Sequence, residues 1–398
     1  MLERLFKLSE HGTSVRTELI AGVTTFLTMS YIIFVNPDIL STTGMDRNAV
    51  FVATCLAAAL GSIVMGFVAN WPIGMAPGMG LNAFFAFTVV SALGFTWQQA
   101  LGAVFISGCI FVLLTVTGVR SWLIAGIPHS LRSAIAAGIG LFLAIIALKS
   151  AGIVVANKAT LVGLGDLKQT GPLLAILGFF IIATLDALKV RGSILIGILA
   201  VTVLSWIFGV SQFHGIVSAP PSIMPTFLQL DIVGALHGGL VHIILVFVLV
   251  EVFDATGTLI GIAKRANLIQ EGKPNRLSRA LLADSAAIVA GSLMGTSSTT
   301  AFVESASGVQ AGGRTGLTAI TIAALFIAAL FFSPLAASVP AYATAPALLY
   351  VAGLMMRELT EIEWDDLTEA APAAITALAM PFTYSIANGL AFGFITYV

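Results

Sequence analysis

Charged residues are scarce in this chain of 398 residues. Only 9% are Asp, Glu, Lys or Arg, and 58% are hydrophobic, whereas about 25% charged residues is usual for a soluble domain. A soluble protein of this length has too much surface to cover with so few charges. Together with a mean hydropathy of +1.03, this composition indicates a protein that crosses a membrane many times.

Cysteine and excess positive charge are lacking as well. The two cysteines, Cys55 and Cys109, lie in apolar runs and cannot form a disulfide framework. The formal net charge is −1, so the chain has no basic surface for nucleic acid, and no nucleic-acid partner is expected. The apolar runs are continuous, which also excludes a transmembrane β-barrel, since its strands alternate polar and apolar residues.

The apolar runs predict 13 or 14 membrane-spanning helices at about 20 residues each. The predicted spans are 20–35, 49–69, 80–94, 99–118, 130–148, 171–188 and 193–210, followed by 238–262, 278–294, 301–311, 315–333, 342–357, 369–383 and 386–398. The last of them has about 13 residues and cannot cross a core of about 30 Å. We therefore expect the final helix to be truncated.

The positions of the basic residues predict an orientation. With the N-terminus inside, only Arg47, Lys149, Lys158 and Lys168 of the 18 basic residues fall outside, and basic residues favour the cytoplasmic side. Residues 1–18 lack the apolar core of a signal peptide. We expect a multi-pass protein of the cell (inner or plasma) membrane with a cytoplasmic N-terminal segment, 1–18.

Two short, interrupted segments occupy matching places in the two halves of the chain. Residues 72–80 are rich in Gly and Pro and precede Asn82, and residues 295–300 are rich in Ser and Thr and precede Glu304. A repeat of seven spans inverts its second copy, because seven is odd. Such paired interruptions indicate a transporter site at the middle of the membrane; the alternative is that Gly and Pro are simply common in membrane helices.

Carboxyl groups lie deep inside the predicted spans, at Glu251, Asp254, Asp284 and Glu304, and no Lys or Arg is expected at the same depth. An ionisable group there costs roughly 2.5–3.5 kcal/mol or more, and a low dielectric favours the neutral form of a carboxyl group. We therefore predict binding of a neutral, N–H-rich solute with a proton as the coupling ion, and no metal or organic cofactor.

Asp254 and Glu251 lie three residues apart and within about 60° on one predicted helix. Small residues around Asp254 allow another backbone to approach, so Asp254 is favoured as a site residue. The proton is assigned to Asp254, with Glu304 and Glu251 as the other candidates. Hydrogen bonding between helices is the alternative role, and it is the role expected of Asp284.

Glu304 and Asn82 follow the two interruptions. Ser and Thr at 297–300 disfavour a helix, so the backbone N–H groups of residues 302–304 are expected to be free at a helix start, where they can donate to an acceptor. The amide of Asn82 both donates and accepts, which suits the edge of a heterocycle. The predicted substrate-binding residues are Asn82, Ala83, Asp254, Phe302, Val303 and Glu304.

Longer motifs give the sequence a family resemblance. They are HGTSVRTE (11–18), GVTTFLT (22–28), APGMGLNAFF (76–85), FDATGTLIG (253–261), GTSSTT (295–300), ESASGV (304–309) and GGRTGLT (312–318). Together they resemble the adenine/guanine/hypoxanthine permeases, a branch of the nucleobase–cation symporters of the nucleobase/ascorbate type, over nearly the whole chain.

The resemblance implies an all-α polytopic membrane protein of two inverted seven-helix repeats. Core segments are implied at 19–118 and 216–335, and gate segments at 119–215 and 336–398, the last incomplete. Two short strand–helix segments are implied to meet at the midplane, with the substrate between core and gate.

The resemblance also assigns individual residues. By motif position, Asp254 and Glu304 correspond to the helix-eight and helix-ten glutamates of related uracil and xanthine permeases, and Asn82 belongs to this branch's third-segment motif. Uracil permeases can have a histidine four residues beyond the helix-eight acid. This sequence has Thr258 there, so a proton relay through that histidine does not carry over.

These observations predict proton-coupled uptake of adenine, guanine or hypoxanthine by alternating access. A uracil, xanthine or anion carrier of the same fold is the alternative, although an anion carrier usually has a positive group at its site. A channel fits the paired interruptions less well, and no nucleophile–base pair or metal cluster indicates an enzyme. The preferred purine, the proton stoichiometry, replacement of the proton by sodium and the oligomeric state, with a homodimer among the options, are left open.

Overall fold

The computed structural model describes residues 2–120, 128–237, 241–266, 268 and 276–397, and it is mainly helical. The first half contains α1 Leu2–Phe6, α2 Val15–Met29, α3 Ile32–Ser41, α4 Arg47–Val64, β1 Met75–Pro77, α5 Met79–Ala83, α6 Trp97–Val116, α7 His129–Ser150, β2 Val154–Asn157, β3 Leu161–Leu164, α8 Thr170–Ala187 and α9 Ser193–Ile207. The second half contains α10 Ile232–His237, α11 Val241–Arg265, α12 Leu277–Met294, β4 Thr299–Ala301, α13 Ser305–Gln310, α14 Gly316–Ala329, α15 Ser333–Ala337, α16 Ala341–Met355, α17 Leu367–Phe382 and α18 Ile386–Tyr397.

Within these ranges, eight helical stretches have 18 or more residues and are apolar enough to cross a membrane. The prediction of an all-α polytopic membrane protein is therefore confirmed. The first span is longer than the predicted 20–35, because the Ser14 hydroxyl accepts from the Thr17 N–H at 3.2 Å and starts α2 at Val15. The hairpin of β2 and β3 falls in a connection that was not predicted to contain strands.

The chain folds into two compact units. The first unit comprises Met1–Gly126 and Ser218–Ser333, and the second comprises Ile127–Val217 and Pro334–Val398. In the first unit, α12 packs on α4 and α6, and α14 packs on α2 and α4. In the second unit, α7 packs on α16 and α17, and α16 also packs on α8.

Two three-residue strands cross inside the first unit. β1 and β4 pair antiparallel, with Met75 opposite Ala301 and Pro77 opposite Thr299. Inside a membrane, every backbone polar group needs a partner within the protein, and the strands supply partners where the helices are interrupted. Each strand is followed by a short helix, α5 or α13. The two predicted strand–helix segments are therefore confirmed, and their antiparallel crossing fits an inverted repeat.

The start of α14 is capped by two residues that lie far away in the sequence. The buried carboxylate of Glu18 accepts from the N–H groups of Arg314, Thr315 and Thr318 at 2.8 to 3.3 Å. Asn70 Oδ1 accepts from the N–H of Gly316 at 2.7 Å. The first N–H groups of a helix have no partner within it, so these two side chains hold α14 against α2 and α4.

Replacing Glu18 by Ala is expected to lower the melting temperature strongly in detergent. The N–H groups of Arg314 and Thr315 would lose their acceptor, whereas the Thr318 N–H keeps the Thr315 carbonyl oxygen at 3.2 Å. Each unpaired buried donor costs roughly 1–3 kcal/mol. Glu18→Gln retains one acceptor oxygen and should have an intermediate melting temperature. Glu10, which pairs with Lys7 at 2.9 Å on the surface, provides the matched control, since exposed pairs contribute little. Equal melting temperatures for Glu18→Ala and Glu10→Ala would contradict the capping role.

Candidate functional site

Asn82 lies at one end of the crossing strands. It is in α5, which begins two residues after β1, and its side chain is fully buried. Its Oδ1 accepts a hydrogen bond from the hydroxyl of Ser297, just before β4. Its Nδ2 has no hydrogen-bond partner among the described residues. The amide is thus fixed on its oxygen side and has a donor left for a ligand. Ala83 is the next residue and is also fully buried.

Glu251 lies near the same end. It is fully buried in α11, with Oε1 at 3.3 Å from Ser107 Oγ of α6 and with Ser298 beside its carboxyl group. Ser297 holds the Asn82 amide, whereas Ser298 Oγ and Glu251 Oε2 have no hydrogen-bond partner among the described residues. Sequence reasoning missed Ser107, although a hydroxyl inside the span 99–118 was a signal.

Asp254, the favoured site residue, lies in the same helix as Glu251 and three residues further along. Its side chain lies outside the part of the chain that the structure describes. The role of Asp254 therefore stays a prediction.

Glu304 lies at the opposite end of the crossing strands, directly before α13. Its Oε1 accepts from the Tyr31 hydroxyl at 2.6 Å, and the ring of Tyr31 lies 6.4 Å from that of Phe302. Sequence reasoning missed Tyr31, and its signal was a phenol inside an apolar span. Val303 is exposed and Phe302 is buried.

One predicted donor is corrected. The backbone N–H of Phe302 is not free, because it donates to the carbonyl oxygen of Gly74 at 3.0 Å and so continues the pairing beyond β4. At the other end, the Gly78 N–H donates to the Ser298 carbonyl oxygen at 2.9 Å. Residue 302 thus belongs to the extended segment, and α13 starts only at Ser305.

The antiparallel register separates the two predicted polar residues that follow the strands. Asn82 follows the end of β1 where Pro77 faces Thr299, and Glu304 follows the end of β4 where Ala301 faces Met75. Three strand residues span about 10 Å at about 3.3 Å each. A ligand that contacts both side chains must therefore reach along the strand pair.

A buried ion pair corrects a second prediction. Arg120 was expected on the cytoplasmic side, beyond the end of the predicted span 99–118. Asp284 was expected to have no cation at its depth in the membrane. Arg120 Nη2 instead lies 3.2 Å from Asp284 Oδ2, and both side chains are almost fully buried. The guanidinium also donates to the Leu281 carbonyl oxygen at 3.1 Å and lies 4.0 Å from the Phe111 ring centroid. Arginine has a long side chain, so it reaches inward although its backbone lies just past the end of α6.

In the described ranges, no group of three or more His, Cys, Asp and Glu side chains is arranged to hold a metal ion. The site consists instead of hydroxyl groups, one amide and carboxyl groups. Such groups recognise a ligand by hydrogen bonds, and the carboxyl groups can also take up a proton.

Comparisons with known proteins find similarity to permeases over nearly the whole chain. Residues 16–392 match the family described as "Permease family". The chain is 54% identical to the adenine permease AdeP of Escherichia coli (strain K12), covering 100% of this chain and 89% of that protein. It is 45% identical to the guanine/hypoxanthine permease PbuO of Bacillus subtilis (strain 168), covering 99% and 93%.

Among solved structures, the transmembrane domain of the cyanobacterial bicarbonate transporter BicA is similar. The TM-score is 0.69, with 96% of this chain and 97% of that chain covered, at 16% sequence identity. At that identity the similarity shows a shared fold and says nothing about the solute.

Proposed function

The chain belongs to the Permease family, a family of transporters and not of enzymes, and on this basis we propose that it takes up adenine, guanine or hypoxanthine together with a proton by alternating access. The family resemblance that the sequence motifs indicate is confirmed by relatives at 45% and 54% identity. We also propose that the N-terminus is cytoplasmic, because most basic residues then lie inside.

The observation that carries the proposal is the buried amide of Asn82, whose Nδ2 has no partner among the described residues. A buried donor without a partner costs about 1–3 kcal/mol, so the native state gains when a ligand accepts from it. A purine offers ring nitrogens as acceptors and N–H groups as donors on one rigid plane. Asn82 is proposed to donate to a ring nitrogen.

Glu304 supplies the complementary acceptor. Because Tyr31 donates to one carboxyl oxygen, the other oxygen is oriented and can accept from a purine N–H. Charge-assisted hydrogen bonds of this kind are about twice as strong as neutral ones. The Asn82 donor and the Glu304 acceptor lie at opposite ends of the strand pair. They therefore suit a flat molecule that carries an acceptor nitrogen and an N–H group.

The proton is proposed to bind a carboxyl group within the membrane-spanning part of the chain, first Asp254 and then Glu304 or Glu251. A charged carboxylate is costly inside a membrane, whereas the neutral acid can move with the purine at much lower cost. The buried cation Arg120 does not lower this cost, because its charge is paired with that of Asp284. For the same reason Arg120 is a poor binding group for a free anion, and the neutral solute is favoured over an anion.

Glu304→Gln is expected to reduce purine uptake by at least tenfold at normal membrane levels. The Tyr31 hydroxyl needs an acceptor, so it holds the amide oxygen and turns the amide N–H₂ towards the ligand. A donor then faces a donor, and the cost of about 1–3 kcal/mol corresponds to roughly tenfold for each 1.4 kcal/mol. Uptake of tritiated hypoxanthine and adenine in cells measures it.

Tyr31→Phe is the matched variant for this test. It retains the Glu304 carboxylate but removes its orienting donor, so it should weaken uptake less than Glu304→Gln. Uptake by Glu304→Gln within twofold of the parent would remove Glu304 from the site.

Asn82→Ala should raise the KM for purines about tenfold or change the order of preferred bases, because the ligand loses a buried donor worth about 1–3 kcal/mol. Competition of labelled hypoxanthine by adenine, guanine, xanthine and uracil measures both effects. Ser91→Ala is the control, because the Ser91 hydroxyl donates to the Ala86 carbonyl oxygen five residues earlier in the same helical segment. Unchanged affinities for every base would make Asn82 a packing residue.

Uptake should rise as external pH falls and should collapse with a protonophore. In proteoliposomes with an imposed pH gradient, the parent is expected to concentrate purine, whereas Asp254→Asn, which mimics the protonated acid, should only exchange it. A parent that follows a sodium gradient instead would show that the coupling ion is wrong. Normal concentrative uptake by Asp254→Asn would move the proton to Glu304.

A further inference from the structure

The carboxylate of Asp284 has two different sets of partners. Its Oδ2 lies 3.2 Å from Arg120 Nη2. Its Oδ1 accepts from the Thr300 hydroxyl at 3.1 Å and from the Ala301 N–H at 3.2 Å. One side of this carboxylate thus faces a cation, and the other side holds strand β4.

β4 is a short strand that Asp284 contacts by two hydrogen bonds. It is three residues long and has one neighbouring strand, β1. It also connects both ends of the candidate site, since Ser297 and Ser298 precede it and Glu304 follows it. A shift of β4 along or away from β1 would therefore move the Ser297 contact to Asn82 and the Glu304 carboxylate at the same time.

Arg120 fixes the direction of the Asp284 carboxylate. Its guanidinium is held by Asp284, by the Leu281 carbonyl oxygen one turn earlier on α12, and by the face of the Phe111 ring on α6. With Oδ2 held by this planar group, Oδ1 points towards Thr300 and Ala301. Asp284 of α12 contacts β4 directly, and Phe111 of α6 contacts the Arg120 guanidinium that pairs with Asp284.

We infer that Asp284 is a positioning residue for the purine site, which it serves through its hydrogen bonds to β4 without contacting the ligand. The inference rests on the proposed function. A positioning role differs from a purely stabilising ion pair in one respect. The KM of purine uptake should depend on the hydrogen-bond acceptor for β4 and not on the charge of Asp284.

Two double variants separate acceptor from charge. Arg120→Met with Asp284→Asn removes both charges and retains an acceptor oxygen for β4. Arg120→Met with Asp284→Leu removes both charges and the acceptor. Neither leaves an unpaired buried charge, and replacing a buried ion pair by apolar residues is often neutral for stability.

The KM of tritiated hypoxanthine uptake is measured beside membrane level and melting temperature. The Asn double variant should stay within threefold of the parent KM. The Leu double variant should raise the KM at least tenfold, with a lower melting temperature because the Thr300 hydroxyl and the Ala301 N–H lose their acceptor. Equal KM values for the two double variants would overturn the inference. Lack of purine uptake by the parent would instead refute the proposed function, and this inference with it.

Thr300→Val decides the question if either double variant fails to reach the membrane. It leaves the ion pair intact and removes one donor from the Asp284 contact, so the KM should rise three- to tenfold. The control is Ser285→Ala on the same helix, whose hydroxyl bonds Thr115 and Leu281 and does not contact β4; its KM should match that of the parent. An unchanged KM for Thr300→Val would contradict the positioning role.

Discussion

The backbone of two interrupted helices has to find hydrogen-bond partners without water. β1 and β4 solve this by pairing with each other, and the pairing extends to Gly78 and Phe302 beyond the strands. Unpaired backbone groups at this depth would cost several kcal/mol each. The positions of the side chains that follow the strands therefore depend on this pairing.

Polar side chains in the first unit are organised around this crossing. Ser62 accepts from the Met75 N–H at 3.0 Å and supports β1, while Asp284 supports β4 from α12. Asn36 donates to Thr54 and Thr296 and ties α3 to the segment before β4. Buried polar groups are favourable only when they are paired. Among the described residues, Asn82 Nδ2, Ser298 Oγ and Glu251 Oε2 near the crossing have no partner, and in the proposed function the ligand supplies one to Asn82.

The chemistry of the site follows from the same scarcity of charge that the composition shows. The buried ion pair of Arg120 and Asp284 neutralises itself and leaves the proposed binding groups to an amide and carboxyl groups. Such a set distinguishes solutes by the pattern of donors and acceptors and not by net charge. In the proposed function, a neutral heterocycle and a proton together satisfy it, because the proton removes the remaining negative charge.

The sequence by itself determined the spans, the two interruptions and the motifs, because apolar runs and Gly, Pro, Ser and Thr act on the backbone locally. It also singled out Asn82 and Glu304. Only the tertiary structure decided that Arg120 reaches Asp284, 164 residues away, and that the Phe302 N–H is engaged by Gly74. These contacts depend on which helices pack together and on strand register, and no pattern within one segment carries that information.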